Sequence, residues 1–442
     1  MHIQDLHFSE EIIPLFDSVQ NEFSRDALIG LLTGFPGSVE EVMVRQEILR
    51  NLVDNPALQA VFSYHRSEFS EVYGWLEELQ SRGPGLSGLS LKMYWFFAAR
   101  ARKRESGRLA LLVLFFYKLH RSWFSSIEEG LFPASFGLRL RNCKRFLSEL
   151  DVVKYQAIAG RRGFGIGEMT GLREFLAVKI RRGELAAFWS DFFLFEAYLS
   201  ISKGILRHRF VFPVFSDGGL SLSRFYHPLI KDPVKNDLLA TERVNLLTGP
   251  NMSGKSTLLK ALGICVVLAH LGLAVPAGRC ELPFFGYISI SIDLQDDLKS
   301  GYSHFMSEIK TLKSVVEAAR SGKACFAVFD ELFRGTNPED ALAISATAVT
   351  GLTKFLHSYF FISTHLYQLR EMLPPAKESP NPASPGNVPV IAPGNEGIGT
   401  HYIDCRLEDR EPEFTYVLRR GWSDLRIGQI LFDREGLNEL LG

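Results

Sequence analysis

A glycine-rich segment at residues 249–256 carries the residue types that hold a nucleotide phosphate. It reads Gly-Pro-Asn-Met-Ser-Gly-Lys-Ser and fits the pattern G-x-x-x-x-G-K-[ST] in full. In this pattern the glycines let backbone N–H groups curl round the β-phosphate, and the following helix adds the positive end of its dipole. We expect Lys255 to reach the β- and γ-phosphates and Ser256 to offer its hydroxyl to Mg²⁺. The predicted nucleotide contacts are Gly249, Pro250, Asn251, Met252, Ser253, Gly254, Lys255, Ser256 and Thr257.

Two carboxylates follow a short apolar strand about 75 residues after Lys255. A carboxylate pair at a strand end is also a common way to begin a loop. Downstream of a phosphate loop, we expect Asp330 to hold Mg²⁺, directly or through water, and Glu331 to orient or deprotonate the attacking water. The pair therefore predicts nucleotide hydrolysis.

His365 and Ser303 complete the set of candidate functional residues. His365 follows the next apolar strand, where it would sense the γ-phosphate; a purely structural histidine is the alternative. Ser303 precedes apolar residues that recur at helical spacing, and its residue type predicts an N-cap. The predicted catalytic residues are thus Lys255, Glu331 and His365, and the predicted Mg²⁺ ligands are Ser256 and Asp330.

The elements that carry these residues change character near Val244. Before it the sequence is mostly helical, with amphipathic stretches at 109–123, 139–150 and 184–205. After it short apolar strands alternate with helices, at 244–247, 256–271, 325–329, 339–356 and 359–362. This alternation is typical of a parallel sheet covered by helices. The segment 372–399 is rich in proline and predicts a mobile loop.

Composition excludes several classes of protein. Of the 442 residues, 46% are apolar and 22% are charged, as in globular proteins, and these values exclude a wholly disordered or collagen-like chain. The longest strictly apolar run is Leu109–Tyr117, and a membrane-spanning helix needs about 20 such residues. Five widely spaced cysteines without a C-x-x-C pair favour reduced thiols. With no recognisable signal peptide, the sequence predicts a cytoplasmic protein without membrane partners.

The net charge of −1 conceals a basic middle segment. Residues 1–80 hold 4 Lys and Arg against 14 Asp and Glu, whereas residues 81–185 hold 20 against 8. The densest basic cluster is Arg100, Arg102, Lys103, Arg104 and Arg108. Such an excess predicts a polyanionic partner for segment 81–185. A solvated helical face that keeps the protein soluble is the alternative interpretation.

Taken together, these motifs resemble those of the MutS family of DNA mismatch-repair ATPases. The resemblance depends on TGPNMSGKST at 248–257, DDLKSGYSHFMSEI at 296–309, FDELFRGTNPEDA at 329–341 and STH at 363–365. It is specific over roughly 225–430 and weak over 35–225, where LFEAYLSIS at 194–202 and VRQEIL at 44–49 are similar to the family pattern.

The resemblance implies an α + α/β fold. A helical core and lever region would occupy 1–220, and an ABC-type P-loop ATPase domain with a mainly parallel sheet would occupy 221–442. The family implies ATP and Mg²⁺ as cofactors and a homodimer that hydrolyses ATP at composite sites to switch its hold on DNA, in repair or recombination. Ser303 would act in trans on the γ-phosphate of the partner subunit, the stretch 335–337 would contact the opposite site, and segment 81–185 would bind DNA.

Departures from the family pattern keep a second function open. The chain has about half the usual family length, Ser-His304-Phe-Met stands where the family has Ser-Thr-Phe-Met, and no Phe-x-Glu mismatch wedge is recognisable. We therefore expect a short member without the mismatch-recognition domain and without an obvious clamp. The alternative is a MutS-derived ATPase that acts on structured RNA, ribosomes or a protein complex. An ABC transporter subunit is disfavoured because the helix after Ser303 lacks a Leu-Ser-Gly-Gly-like signature.

Overall fold

A computed structural model describes most of the chain. The described residues are 3–55, 58, 64–82, 87–292, 304–333, 336–373, 395–408, 411–423, 432 and 440–441. The chain forms two compact units. We call residues 15–34 and 44–207 the helical unit, and residues 1–14, 35–43 and 208–442 the sheet unit. The sequence-based boundary between 220 and 221 stays a prediction.

Helices make up most of the described residues of the helical unit. Asn21 caps α1, because its side-chain oxygen accepts a hydrogen bond from the Ser24 N–H. A π-helical turn, His120–Phe124, continues α5. The helices are α1 Glu22–Thr33, α2 Val39–Val53 (which begins in the sheet unit), α3 Arg66–Arg82, α4 Gly88–Phe97, α5 Ala99–Leu119, α6 Ala134–Glu149, α7 Val152–Arg161, α8 Ile166–Arg181 and α9 Glu184–His208.

Aromatic side chains of α9 form the centre of the helical unit. Phe188, Phe192 and Phe195 are fully buried, and Phe188 stacks on Phe146 of α6 with ring centroids 4.6 Å apart. Fully buried rings of this size dominate the hydrophobic contribution of a core. Two acidic residues of α9, Asp191 and Glu196, are buried as well.

Among its described residues, the sheet unit holds ten strands and four helices that lie wholly within it. Short 3₁₀ and π segments between Gln4 and Leu15 precede them in the chain. The strands are β1 Val214–Phe215, β2 Leu220–Phe225, β3 Asn236–Ala240, β4 Glu242–Thr248, β5 Arg279–Leu282, β6 Tyr287–Ser291, β7 Cys325–Phe329, β8 Tyr359–Ser363, β9 Asn395–Glu408 and β10 Glu411–Arg420. The helices are α10 Lys255–His270, α11 His304–Arg320, α12 Pro338–Leu352 and α13 Leu369–Met372.

Ten strands make two sheets. The larger has the order β10-β9-β4-β8-β7-β6, and all its pairs are parallel except β10 with β9. The central strands β4, β7 and β8 are buried on both faces, as continuous apolar strands of a parallel sheet are. The mixed helix and sheet architecture confirms the coarse fold prediction.

The smaller sheet, in the order β1-β5-β2-β3, departs from the sequence-based account. It pairs β2 antiparallel with β3 and β5, so three strands lie within residues that were expected to be mostly helical. The expected loop 372–399 also overlaps a described strand at its C-terminal end. Residues 374–394 lie outside the described residues, but 395–399 begin β9, because Ile398 is buried and pairs with Val244 of β4.

Candidate nucleotide site

Strand order brings the predicted site residues to one edge of the larger sheet. Because β4, β8 and β7 are adjacent and parallel, the segments that follow them lie side by side. Those segments carry the glycine-rich loop, His365 and the pair Asp330–Glu331. Ligands of open parallel sheets bind at this carboxyl edge.

The glycine-rich loop depends on backbone conformations that glycine adopts without strain. Gly249 has φ 142° and Gly254 has φ 97°. A Cβ atom on Gly254 would lie 3.1 Å from the ring of Tyr416, and one on Gly249 would lie 3.1 Å from Ser253 Oγ. The buried Lys255 ammonium donates hydrogen bonds to the carbonyl oxygens of Gly249 and Pro250, at 3.0 and 3.1 Å. The loop therefore curls round the lysine that the sequence assigns to the phosphates.

A cavity of about 460 Å³ lies beside this loop. Its lining is mostly apolar and aromatic, and includes Val234, Ile403 and Tyr416 together with Ser253 and Gly254 of the loop. The Asn236 side chain holds the backbone of Tyr416 in place through two hydrogen bonds. Its Nδ2 donates to the Tyr416 carbonyl oxygen at 3.1 Å, and its Oδ1 accepts from the Leu418 N–H at 2.7 Å. An apolar cavity next to a phosphate loop has the size and character of a base-binding site.

Two buried polar atoms that line this cavity suit a polar ligand. Ser253 Oγ and His227 Nδ1 find no hydrogen-bond partner among the described residues. Burial lowers the pKa of His227, so this ring is held neutral. An orphaned buried polar group costs free energy unless a partner reaches it. The loop, its lysine and these two atoms therefore fit a nucleotide phosphate and its attached groups.

Asp330 and Glu331 are joined by a hydroxyl of the neighbouring strand. Ser363, the last residue of β8, donates a hydrogen bond to Asp330 Oδ1 and accepts one from the Glu331 N–H at 2.9 Å. Glu331 has φ 55°, a left-handed conformation that residues with a side chain rarely adopt. This backbone turns the glutamate out of the strand direction, and the Ser363 hydroxyl stabilises the turn.

His365 contacts Glu331 directly. The distance from His365 Nε2 to Glu331 Oε1 is 2.7 Å, and both side chains are partly accessible to solvent. The two residues that the sequence assigns to water activation and phosphate sensing are thus hydrogen-bonded across adjacent strand ends. Their roles stay predictions.

Glu308 is a residue of this region that the sequence did not assign. It lies on α11, its side chain is 2% exposed, and its Oε2 accepts a hydrogen bond from the Phe333 N–H at 2.8 Å. Phe333 has φ 67° and its ring packs against Phe305 of α11 at 6.0 Å. Two contacts from α11 therefore hold the turn that carries Glu331.

The residues present suit Mg²⁺ rather than a metal held by protein alone. Among the described residues no cluster of three or more His, Cys, Asp or Glu could hold a metal ion. Mg²⁺ characteristically takes one or two protein ligands and completes its shell with phosphate oxygens and water. Ser256 lies in the first turn of α10 and Asp330 directly follows β7 at the same sheet edge, so these two residues can supply that pair.

Part of the predicted composite site lies outside the described residues. Ser303 and Gly335 are not described by the structure. Asn337 is described, and there it caps α12: its side-chain oxygen accepts a hydrogen bond from Asp340 N at 2.9 Å. The role of Ser303 in trans and of 335–337 at an opposite site stay predictions.

The basic segment 81–185 divides into paired and unpaired cations. Arg108 lies 3.4 Å from Glu78 and Lys118 lies 2.8 Å from Glu68, so part of the excess is neutralised by acidic residues, as the solvated-face alternative expects. Within the part of the chain that is described, Arg100, Lys103 and Arg104 are exposed and form no ion pair. These three cations are available to a polyanion.

Burial shifts the pKa of a histidine of the sheet unit and of a glutamate of the helical unit in opposite directions. In the sheet unit, burial lowers the pKa of His270 from its ordinary value of 6.5 to about 4. Its Nε2 accepts from Phe285 N and its Nδ1 contacts Val266 O, both at 2.8 Å, an arrangement of a neutral ring. In the helical unit, burial raises the pKa of Glu196, which accepts hydrogen bonds from Asn21, Ser24 and Tyr64.

Comparison with known proteins shows which family the chain resembles. The family model described as MutS domain V matches residues 245–381, which include the glycine-rich loop, Asp330, Glu331 and His365. The chain is 30% identical over 297 residues to the DNA mismatch repair protein MutS of Staphylococcus haemolyticus, covering 62% of this chain and 33% of that protein. It is 25% identical over 379 residues to the MutS of Streptococcus thermophilus, covering 81% of this chain and 42% of that protein. The chain is therefore similar to proteins of the MutS family.

The matched region is shorter than those relatives. In the two comparisons above, the chain spans about a third to two-fifths of the length of the relative. A third match, to the DNA mismatch repair protein MutS of Leuconostoc citreum, is 36% identical over 170 residues and covers 19% of that protein. Among the described residues, no helix is both long enough and apolar enough to cross a membrane.

Proposed function

We propose that this protein is a MutS-type ATPase that binds DNA and uses ATP hydrolysis to switch its hold on it. One observation carries the proposal. Lys255, Asp330, Glu331 and His365 lie at three adjacent strand ends of one parallel sheet, and Glu331 and His365 are within hydrogen-bond distance of each other. This is the set of groups that phosphoryl transfer to water requires: a phosphate cradle, a metal-binding carboxylate and a group that positions water.

The loop and the cavity divide the binding of ATP between them. Backbone N–H groups of 249–254 and the start of α10 would hold the phosphates. Lys255 would exchange the carbonyl oxygens of Gly249 and Pro250 for phosphate oxygens, a stronger charge-assisted contact. The base would enter the cavity that Val234 and Tyr416 help to line. The cavity is mostly apolar, so it favours a flat aromatic ring.

Ser256 and Asp330 would hold Mg²⁺. Bound there, the ion neutralises the charge that develops on the transferring phosphate. Ser363 keeps Asp330 in position through its hydroxyl, and the same hydroxyl anchors the Glu331 N–H. One side chain of β8 thus fixes the metal-binding residue and the water-positioning residue together.

Glu331 would orient the attacking water and accept its proton. A carboxylate within reach of the water is the geometry that general base catalysis needs. His365 contacts the Glu331 carboxylate, so it restrains that side chain and lies where a γ-phosphate would be sensed. Hydrolysis would then release the contact that the γ-phosphate makes with this edge of the sheet.

A homodimer with composite sites is part of the proposal and depends on the family resemblance. Ser303 of one subunit would meet the γ-phosphate bound by its partner. Mixing the inactive variants Lys255→Ala and Ser303→Ala should restore some turnover, because one of the composite sites in the heterodimer is intact. No recovery in a mixture with confirmed heterodimers would place Ser303 within its own subunit.

DNA is the proposed partner because the relatives are named as DNA mismatch repair proteins and because Arg100, Lys103 and Arg104 are unpaired. The chain spans only part of the length of these relatives, and the proposal concerns DNA binding itself. A structured RNA, a ribosome or a protein complex would be the target under the alternative.

A binding competition tests the choice of partner. Matched, mismatched, branched and single-stranded DNA and RNA compete for the protein with and without ATP. We expect DNA to bind in a salt-dependent and ATP-dependent manner, with matched and mismatched duplexes nearly equal. Exclusive binding of RNA, or of no nucleic acid, would contradict the proposed partner while leaving the ATPase proposal open to its own test.

A further inference from the structure

The short helix α4 exposes an unusual number of large apolar side chains. Phe96 is 65% exposed, Phe97 is 75% exposed and Leu89 is 76% exposed, and Met93 and Tyr94 are exposed as well. Positions 89, 93, 96 and 97 fall on one side of a helix of 3.6 residues per turn. Contiguous apolar side chains on a surface mark a site of interaction.

The opposite side of α4 is anchored in the helical unit. Leu91 and Trp95 are buried, and the Gly88 N–H donates a hydrogen bond to Glu174 of α8 at 2.8 Å. Arg102 of α5 donates to the Trp95 carbonyl oxygen at 3.5 Å. The exposed rings are therefore presented from a helix whose other face is packed, and their exposure is a property of the folded unit.

Unpaired cations flank these rings. Arg100, Lys103 and Arg104 begin α5 directly after α4, and they lie at i, i+3 and i+4, so they share one face of that helix. In the described part of the chain none of the three has an ion-pair partner. We call the exposed side chains of Leu89, Met93, Tyr94, Phe96 and Phe97, together with these three cations, the aromatic–basic surface.

We propose that the aromatic–basic surface binds nucleic acid with unpaired bases, which names the substrate class of the DNA binding proposed above and depends on that proposal. The three cations would neutralise backbone phosphates, and the rings of Tyr94, Phe96 and Phe97 would receive exposed base faces. Proteins that bind single strands combine these two features, because every base has an aromatic face. The Phe96 and Phe97 rings stand at 85° to each other, so they offer faces in two directions.

Charge disfavours a second copy of the chain at this surface, and base stacking disfavours an intact duplex. A second copy of the chain on the same surface would bring Arg100, Lys103 and Arg104 of both copies together, and like charges at close range are unfavourable. An intact duplex has its base faces stacked inside the helix, so it could use the cations but not the rings. An anionic lipid surface also attracts cations and apolar or aromatic side chains, so binding to lipid vesicles is an arm of the test.

The test measures fluorescence anisotropy of two labelled probes at two salt concentrations. One probe is an oligothymidylate of about 16 nucleotides, the upper site size of one single-strand-binding fold, and the other is a duplex of equal length. The variants are Phe96→Ala/Phe97→Ala and Arg100→Ser/Lys103→Ser/Arg104→Ser. The control is Leu138→Ala/Val153→Ala, which removes two other exposed apolar side chains of the helical unit. All variants change exposed side chains, and circular dichroism checks that they fold.

We expect the aromatic variant to weaken binding of the single strand by about 5- to 150-fold, which is the loss of one stacked base, and to leave duplex affinity unchanged. The cation variant should weaken both probes and flatten the salt dependence of both, since each lost phosphate contact reduces the log–log slope by about 0.7 to 0.9. The control should match the wild type.

Three results would overturn the inference. Equal affinities of wild type and aromatic variant for the single strand would refute the role of the rings while leaving DNA binding intact. Failure of the wild type to bind either probe would refute the proposed DNA binding as well. Binding to phosphatidylserine vesicles that the aromatic variant loses, with no binding of oligonucleotides, would assign the surface to a lipid membrane.

Discussion

The two units of this protein place their candidate functional residues by different means. In the sheet unit, backbone topology determines the positions of these residues. Three neighbouring parallel strands end at one edge, and Lys255, Glu331 and His365 lie in the segments that follow those strands. In the helical unit, the candidate surface is defined by which side chains of α4 and α5 stay exposed while Leu91 and Trp95 are buried. The first arrangement is a consequence of fold and the second of packing.

This difference predicts where each unit is sensitive to substitution. The site of the sheet unit depends on single atoms, such as the Ser363 hydroxyl that serves both Asp330 and Glu331. The aromatic–basic surface instead spreads its proposed contacts over eight exposed side chains. Substitutions in the sheet unit should therefore have large individual effects on turnover, and substitutions on the surface should have graded effects on affinity.

The largest effect is expected from Lys255→Ala. Loss of the ammonium group that would contact the γ-phosphate should lower the rate of ATP hydrolysis by about 10²- to 10³-fold, the cost of removing one preorganised donor. Lys313→Ala is the matched control, because Lys313 is an exposed lysine of the same unit. Steady-state phosphate release measures both. A rate above a tenth of the wild-type rate in Lys255→Ala would contradict the proposed contact of Lys255 with the γ-phosphate.

Glu196→Ala should separate stability of the helical unit from chemistry of the sheet unit. The change leaves buried donors of Asn21, Ser24 and Tyr64 without their acceptor, and each such group costs about 1–3 kcal/mol. We expect faster hydrogen exchange in peptides of α1 and α9 and unchanged nucleotide affinity. Equal destabilisation of peptides from β4 and β7 would contradict the separation of the units.

The pH dependence of stability should have opposite signs for Glu196 and His270. Burial keeps His270 neutral, so below pH 6.5 the unfolded chain takes up a proton that the folded chain does not, down to about pH 4. Its contribution to stability is full above pH 6.5 and falls by about 3 kcal/mol across that window. The raised pKa of Glu196 acts the other way, because the folded state binds its proton at a higher pH than the unfolded state does.

Urea titrations at pH 7 and pH 5, followed by hydrogen exchange of individual peptides, measure the contribution of His270 to stability. His270→Gln should reduce the loss of stability of the sheet unit between the two pH values, read from exchange of β4 peptides. His401, whose pKa burial also lowers to about 4, retains its own share of that loss. His357→Gln, a change at an exposed position, is the control. An identical loss in wild type and His270→Gln would contradict the account.

A smaller effect is expected from Glu308→Ala. The Phe333 N–H would lose the acceptor that helps to hold the turn at Glu331, so the maximal rate should fall by about 10-fold, equivalent to about 1.4 kcal/mol, within the range for one lost buried hydrogen bond. Nucleotide affinity should change little. Glu308→Gln keeps a carbonyl acceptor and should recover most of the rate. Glu317→Ala, at an exposed glutamate of the same helix, is the control.

Local sequence patterns predicted the elements of the sheet unit well where they were long or strongly apolar. The strand Cys325–Phe329 was placed correctly, and α10 was placed within one residue of its ends, because an apolar run or a glycine-rich loop marks each. The alternation of apolar and polar residues in Leu220–Phe225 also signals a strand, but it lies beside long helical stretches and was read with them.

Contacts between distant segments could not be predicted in this way. The hydrogen bond from Phe333 to Glu308 joins a loop to a helix, and Ser363 reaches Asp330 across adjacent strands. Neither pairing has a sequence spacing that identifies it. The exposure of Phe96 and Phe97 could not be predicted either, because an apolar run has the same composition whether it packs in a core or faces solvent.

Single-turnover hydrolysis by Glu331→Gln tests the central claim most directly. The glutamine cannot accept a proton from water but has nearly the same shape, so nucleotide binding should be retained. The account predicts wild-type affinity for ATP, a hydrolysis rate at least about 10²-fold lower, in the range of general base catalysis, and accumulation of an ATP-bound dimer. Near-normal single-turnover hydrolysis in this variant would show that another group positions the water, and would contradict the assignment of this sheet edge.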